Sequence, residues 1–267
     1  MSDAFEVERS GTLLSGQAAG DGPAVLAMHG LTATRRYVLM GSRSLERDGR
    51  RVVSYDARGH GESGPAGDGR YDYEELALDA LAVMDRVGAE QAVLAGVSMG
   101  AHTAAAVALA APERVAGLVF ITPAYDPDAQ ADPLSWDRLA RGLRDGGIEG
   151  FLAAYELDAL DVRWRETAER VIRQRLEAQR HPAALADALE GVPRSRPFES
   201  WQQLGAIEAP AIVIASRDEA DPAHPLSVGE RWASELPGAA LHVERSGEAP
   251  LAWQGGRVSA LIGSLAS

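Results

Sequence analysis

The chain has 267 residues, 46% of them hydrophobic, enough for one domain with a large buried core or for a core carrying an insertion. A formal charge of −13 argues against nucleic acid or an anionic membrane as partner, and the lack of cysteine excludes disulfides and thiolate metal sites. The acidic start Met1-Ser2-Asp3-Ala4-Phe5-Glu6 has no apolar signal-peptide core, and no apolar run is long enough to span a bilayer. A cytoplasmic location and a small-molecule partner are therefore expected, with assembly into a homo-oligomer left open. Neither lysine nor asparagine occurs, which together with the abundant alanine fits coding bias or thermal adaptation.

In chain order, Phe5 to Gly16 alternates loosely, as one or two edge strands would, and Asp21-Gly22-Pro23 marks a turn. Ala24 to Met28 reads as a buried strand ending at His29-Gly30-Leu31-Thr32. Helical spacing from about Tyr37 to Arg47 is closed by Asp48-Gly49, and Val52 to Tyr55 is the next strand. After a glycine-rich loop, Asp72 stands where it would cap a helix running to Val87. Gln91 to Ala95 reads as a strand, Met99 to Ala111 as an alanine-rich helix stopped by Pro112, and Val115 to Ile121 as another buried strand.

Strand signals then vanish. From Ala124 to Ile207 the pattern is amphipathic and helical, over Leu134–Arg144, Gly147–Leu157, Val162–Gln179 and Ala183–Leu189, with proline-containing joints. Alternation resumes with a strand over Pro210–Ala215, a helix over about Pro225–Leu236, a strand over Ala240–Val243 and a last helix from about Gly256 to Leu265. Strand–helix alternation implies an α/β fold with a mostly parallel sheet covered on both faces. Residues 1–123 and 206–267 form the expected core. Residues 124–205 form a helical cap over the carboxyl ends of the strands, where open α/β sheets place their sites.

The centre of this pattern is Gly96-Val97-Ser98-Met99-Gly100, a Gly-x-Ser-x-Gly run between a strand and a helix. In that setting the run becomes a nucleophile elbow: the flanking glycines admit a sharp turn, Ser98 projects above the sheet, and the Met99 amide opens the helix. The plain alternative is a glycine-tolerant turn with a solvated serine.

Three stretches in this order resemble the α/β-hydrolase superfamily in its cap-bearing form, and the resemblance covers nearly the whole chain. They are His29-Gly30-Leu31-Thr32, the run Asp56-Ala57-Arg58-Gly59-His60-Gly61-Glu62-Ser63, and the elbow at Ser98. The resemblance implies an oxyanion hole formed by the amides of Leu31 and Met99, and a structural role for the Asp56–Ser63 turn. His29, Gly30 and His102 are the candidate substrate contacts, although His102, one turn past Ser98, has mere covering of the helix as its alternative. No metal or organic cofactor is implied, because no cluster has metal-ligand spacing.

In this superfamily the catalytic acid follows the strand after the cap, and the histidine follows the last strand. Asp221 fits the acid position better than Asp218, through its Asp-x-x-x-Pro spacing, with a turn or capping role as the alternative. The histidine position departs from the pattern: Ser246-Gly247-Glu248-Ala249-Pro250 carries Glu248 where an imidazole is usual. Since a serine hydroxyl is a poor nucleophile without a base, three readings stay open. His224, three residues beyond Asp221, can replace the imidazole, oriented by Asp221 or Glu248, with a plain helix-start position before Pro225 and no chemistry as its equal alternative. Glu248 can itself be the base if burial raises its pKa. Or the site is catalytically silent and binds a small molecule under the cap. The first gives a serine-dependent hydrolase of a small carboxylic ester or related acyl compound. A scaffold built on the arginine-studded cap is a further, weaker alternative. The aromatic residues Trp136, Phe151, Tyr155, Trp164 and Trp201 suggest an apolar pocket, against simple packing among the cap helices.

Overall fold

A computed structural model of the chain describes residues 2–129, 132–218 and 221–265. Eight strands form one sheet: β1 (Ser2–Arg9), β2 (Thr12–Ala19), β3 (Ala24–Met28), β4 (Arg51–Tyr55), β5 (Ala92–Val97), β6 (Val115–Ile121), β7 (Ala211–Ala215) and β8 (Ala240–Val243). Their order is β1-β2-β4-β3-β5-β6-β7-β8, so the first strand lies at one edge and the last at the other. β1 and β2 form an antiparallel hairpin, β2 also pairs antiparallel with β4, and every other pairing is parallel. The α/β-hydrolase fold with a mostly parallel sheet is thus present. The hairpin turns at Ser10-Gly11, both with positive φ, the geometry that matches strand twist in a two-residue loop.

The inner strands are continuous apolar runs because helices cover both faces. On one face, Leu94 of β5, Leu118 and Phe120 of β6 pack with α2 (Tyr73–Arg86) and α3 (Met99–Ala110). Trp232 from α8 (Leu226–Glu235) joins this layer. On the other face, Val93, Ala95, Val119 and Ile121 pack with Leu45 of α1 (Ser44–Arg47) and with Val258 and Ile262 of α9 (Gly255–Leu265). The alternation of faces along β5 and β6 follows the period of two of a strand.

The helix expected from Tyr37 to Arg47 is absent. Met40 and Gly41 both adopt positive φ, which no right-handed helix accommodates, leaving a 3-10 turn at Arg35–Tyr37 and the single-turn α1. Elsewhere the expected boundaries shift by up to three residues, and Asp72 does cap α2 by accepting a hydrogen bond from the Glu75 amide.

Between β6 and β7 the elements are helical: α4 (Pro133–Ala154), α5 (Val162–Glu177), α6 (Pro182–Gly191) and the short α7 (Trp201–Gly205). Gly147, with φ 59° and ψ −142°, breaks α4 into two arms, as the separate segments read from the sequence require. Phe151, Leu152, Ile172, Leu176, Leu185 and Leu189 give this segment a core of its own.

The Asp56–Ser63 run is a braced turn. The Asp56 carboxylate accepts from the Arg35 amide at 2.7 Å and the Glu62 amide at 3.0 Å, and it pairs with the Arg35 guanidinium. Ser63 Oγ donates to the Asp56 carbonyl at 2.6 Å. Arg58 is wholly enclosed and spends its fork on Asp79 and Glu75, which satisfies a charge that burial would otherwise penalise.

Candidate active site

Ser98 sits at the end of β5 with φ 50° and ψ −111°, a region costly for a residue with a Cβ. The surroundings fix it there. Its amide donates to the Ile121 carbonyl of β6 at 2.9 Å, and its carbonyl accepts the His102 amide at 3.0 Å as the first turn of α3. A Cβ on Gly96 would fall on the Gly100 carbonyl, and a Cβ on Gly100 would fall on the carbonyl of Met28. The two glycines therefore let α3 leave β5 at close quarters. Gly30 allows the neighbouring loop to approach, since a Cβ there would lie 3.4 Å from Cβ of Ser98.

The loop after β7 brings the charged groups. His224 Nε2 lies 2.8 Å from Ser98 Oγ, and its Nδ1 lies 2.7 Å from Asp221 Oδ1. A carboxylate only accepts, so Nδ1 carries the ring proton and Nε2 is left to accept from the serine hydroxyl. Burial lowers the His224 pKa, but the charge of Asp221 and its hydrogen bond outweigh burial, and the net shift is upward. An imidazole so placed can take up a hydroxyl proton while the carboxylate holds its tautomer.

The two aspartates of this loop divide the work. Asp218 Oδ1 accepts from the Leu226 amide at 2.7 Å and so caps α8, whereas Asp221 faces the imidazole. Glu244, which the sequence reading passed over, is 2% exposed and accepts from the amides of Arg217 at 2.6 Å and Leu251 at 3.0 Å. It ties the loop after β7 to the loop after β8. A glutamate directly after a strand was the available signal.

Glu248 is elsewhere. Its carboxylate lies 3.4 Å from the Arg257 guanidinium and 3.4 Å from the Arg245 amide, half-exposed. It does not line the cavity beside Ser98, and the two nitrogens of His224 face Asp221 and Ser98 rather than Glu248: the turn at Gly247 directs Glu248 toward α9. His242 lies on β8 and His181 precedes α6, and neither lines the cavity.

The loop after β3 turns back through a hydrogen bond from the Ala33 amide to the Gly30 carbonyl at 3.0 Å, with Thr32 at φ 71°. Gly30, Leu31 and Met99 line the cavity with Ser98, and Met99, as the first residue of α3, has an amide without an intrahelical acceptor. His29 does not contact the cavity. It is 2% exposed, its Nε2 accepts from the Ala57 amide at 2.9 Å, and its Nδ1 faces the Gly30 carbonyl at 2.9 Å. Both nitrogens are committed to backbone, so its part is to join the two loops. Gln179, just past α5, extends the same tie. Its amide nitrogen donates to the Thr32 carbonyl at 3.0 Å, and its oxygen accepts from the Gly61 amide at 2.6 Å.

His102 lines the cavity, yet its nitrogens are also occupied. Nε2 accepts from the amides of Ala124 at 3.0 Å and Tyr125 at 3.1 Å, where the chain leaves β6 for the helical segment. The proton is therefore on Nδ1, which donates to Tyr73 Oη at 2.8 Å. Burial, with a lesser effect from His224, lowers its pKa to about 3 and keeps it neutral.

The cavity has a volume of about 480 Å3 and is bounded below by Ser98, Met99 and His224. Helical-segment residues Trp136, Leu139, Phe151, Tyr155 and Ile172 supply much of its apolar wall. Of the other aromatics expected there, Trp164 packs edge-on against Trp253 at 5.7 Å, and Trp201 turns away to donate to Asp128 at 3.0 Å.

The chain belongs to the alpha/beta hydrolase fold family, whose model matches residues 23–255. It is 31% identical to RutD of Variovorax paradoxus, assigned as a carbamate hydrolase, with 83% of each chain covered. It is 34% identical to a 2-hydroxy-6-oxononadienedioate/2-hydroxy-6-oxononatrienedioate hydrolase of Paraburkholderia phymatum, covering 73% of this chain and 68% of that one. Among solved structures, a thermophilic esterase from Thermogutta terrifontis superposes with a TM-score of 0.81 at 27% identity, over 98% of this chain and 97% of the other. With such relatives the chain is an enzyme of the hydrolase type acting on small substrates. No helix among the described residues is long and apolar enough to cross a membrane.

Proposed function

We propose that the protein is a serine hydrolase of a small carboxylic ester or related acyl compound, with base and acid both supplied by the loop after β7. The observation that carries this reading is the hydrogen-bonded series Ser98–His224–Asp221, at 2.8 and 2.7 Å. Ser98 Oγ attacks the substrate carbonyl carbon as its proton passes to His224 Nε2, and the carbonyl π electrons move to oxygen. The amides of Leu31 and Met99 hold that oxyanion, where a fixed donor is worth roughly two to three powers of ten in rate. Collapse expels the leaving group, which takes the proton from His224. Water, deprotonated by the same imidazole, then cleaves the acyl-Ser98 bond and releases the acid. Helices α4 to α6 act as a cap that walls off the site from bulk water and shapes the acyl pocket.

The similar proteins support a reaction at an acyl carbon, since their names are those of a carbamate hydrolase, an oxo-dienedioate hydrolase and an esterase. The test is turnover of para-nitrophenyl butyrate by the unmodified protein, Ser98→Ala and His224→Ala. Both substitutions are expected to lower kcat by about 10³-fold or more. Turnover that survives in His224→Ala, or that is no faster in the unmodified protein than in Ser98→Ala, sinks the mechanism.

A further inference from the structure

The helical segment contributes three arginines to the cavity wall: Arg194 pairs with Asp137 and Arg196 with Glu199, while Arg175 comes from α5, whose other arginines face outward. Along α5, Arg165 donates to the Leu160 carbonyl and meets Asp158, and Arg173 pairs with Glu149. Arg175 instead turns inward and lines the cavity with Ser98, Asp221 and His224. Its Nε is fully buried and has no hydrogen-bond partner. Its guanidinium lies over the Tyr37 ring, 5.0 Å from the centroid, and Tyr155 and the Asp221 carboxylate act on it from a distance. The ring face offsets part of the desolvation but accepts no N–H.

The other enclosed arginines are treated differently by the fold. Arg58 meets Asp79 and Glu75, Arg9 the same two carboxylates, and Arg35 meets Asp56. A guanidinium taken out of water without such a partner is costly and is stabilised by any anion that reaches it. Burial also lowers the Arg175 pKa, as expected for a cation short of compensation.

We propose that Arg175 receives a carboxylate carried by the substrate, making the enzyme selective for acyl compounds that bear a second, anionic end. This rests on the serine-hydrolase reading for its reaction but not for its binding site. The guanidinium fork matches a carboxylate, and the wall between it and Ser98 is largely apolar, which suits a short hydrocarbon spacer. A local receptor is also what a chain of charge −13 needs in order to hold an anion against its own long-range field.

The test compares mono-para-nitrophenyl glutarate with para-nitrophenyl butyrate, which share the scissile bond and differ in the terminal carboxylate. The unmodified protein is expected to favour the glutarate ester in kcat/KM. Arg175→Met should lower that preference about ten- to a hundredfold, and Arg175→Lys should restore part of it. As a readout without turnover, glutarate at millimolar concentration should raise the Tm of Ser98→Ala and should fail to do so when Arg175→Met is added. Equal preference in the unmodified protein and in a folded Arg175→Met overturns the proposal. If Arg175→Met does not fold, the unmodified protein decides: no preference for the glutarate ester together with no stabilisation by glutarate overturns it. Arg175-dependent stabilisation without any Ser98-dependent turnover would keep the anion site and remove the hydrolase reading.

Discussion

Neutral, enclosed histidines make this fold sensitive to acid, and His102 allows the effect to be isolated. His60 and His102 are each held at a pKa of about 3 by burial, against an ordinary value of 6.5. Between those values the unfolded chain binds a proton at each position and the native chain does not, so stability falls as pH drops below about 6.5. For one such group the loss on going from pH 8 to pH 5 is about 2 kcal/mol, and for the two about 4 kcal/mol, a large part of the 5–15 kcal/mol typical of a domain. In His102→Gln the amide oxygen can accept from Ala124 and Tyr125 and the nitrogen can donate to Tyr73, so the hydrogen bonds are retained without a titrating group. The assay is urea unfolding of both proteins at pH 8 and pH 5. The difference between the two pH values should be about 2 kcal/mol smaller in His102→Gln. Parallel losses in both proteins would mean that His102 is protonated in the native state, or that the acid response arises elsewhere.

The kcat/KM of the unmodified protein should fall as pH drops through a midpoint above 6.5, because the raised pKa of His224 keeps the ring protonated to higher pH. Asp221→Asn should move that midpoint downward and lower kcat by about 10²–10⁴-fold; an unmoved midpoint would assign the titration to another group. Gly96→Ala and Gly100→Ala should each destabilise the fold by about 2–4 kcal/mol in urea melts, since the new methyl meets backbone rather than a side chain that can yield. Glu248→Gln should leave kcat/KM within about twofold, given its position beside Arg257, and a loss of tenfold or more would place it back in the reaction.

The sheet and the elbow were legible because each is written in local chemistry, apolar runs of strand length and glycines at fixed offsets, whereas the Asp56–Ser63 turn was legible through its resemblance to the superfamily's signature. Met99 followed from Ser98 by adjacency, and Leu31 from the resemblance of His29-Gly30-Leu31-Thr32 to the superfamily's loop. What was not legible depends on contacts distant in the chain. Which of His224 and Glu248 lies beside Ser98 depends on how two distant loops fold, and spacing alone does not give that. Glu248 and its neighbours look like an altered histidine motif until Arg257 is seen beside it. His29 and His102 look like pocket residues until their nitrogens are counted against backbone amides. Arg175 is one of several arginines on an arginine-rich helix, and only the packing of Ile172 and Leu176 on the same side gives its direction. The missing helix after β3 was lost to two left-handed residues, and a methionine gives no warning of that.

Asp221 and His224 lie three residues apart, and the Asp221 carbonyl accepts the His224 amide at 3.0 Å. In the proposed mechanism acid and base thus travel as one short peptide, whose internal geometry is set by its own turn and not by the mutual placement of two distant strands. For an engineer this makes the pair a cassette that can be moved between sheets having a serine elbow two strands away. It also leaves the tip of the loop at Gly247 as an attachment point, so long as the tie from Glu244 to the amides of Arg217 and Leu251 is kept.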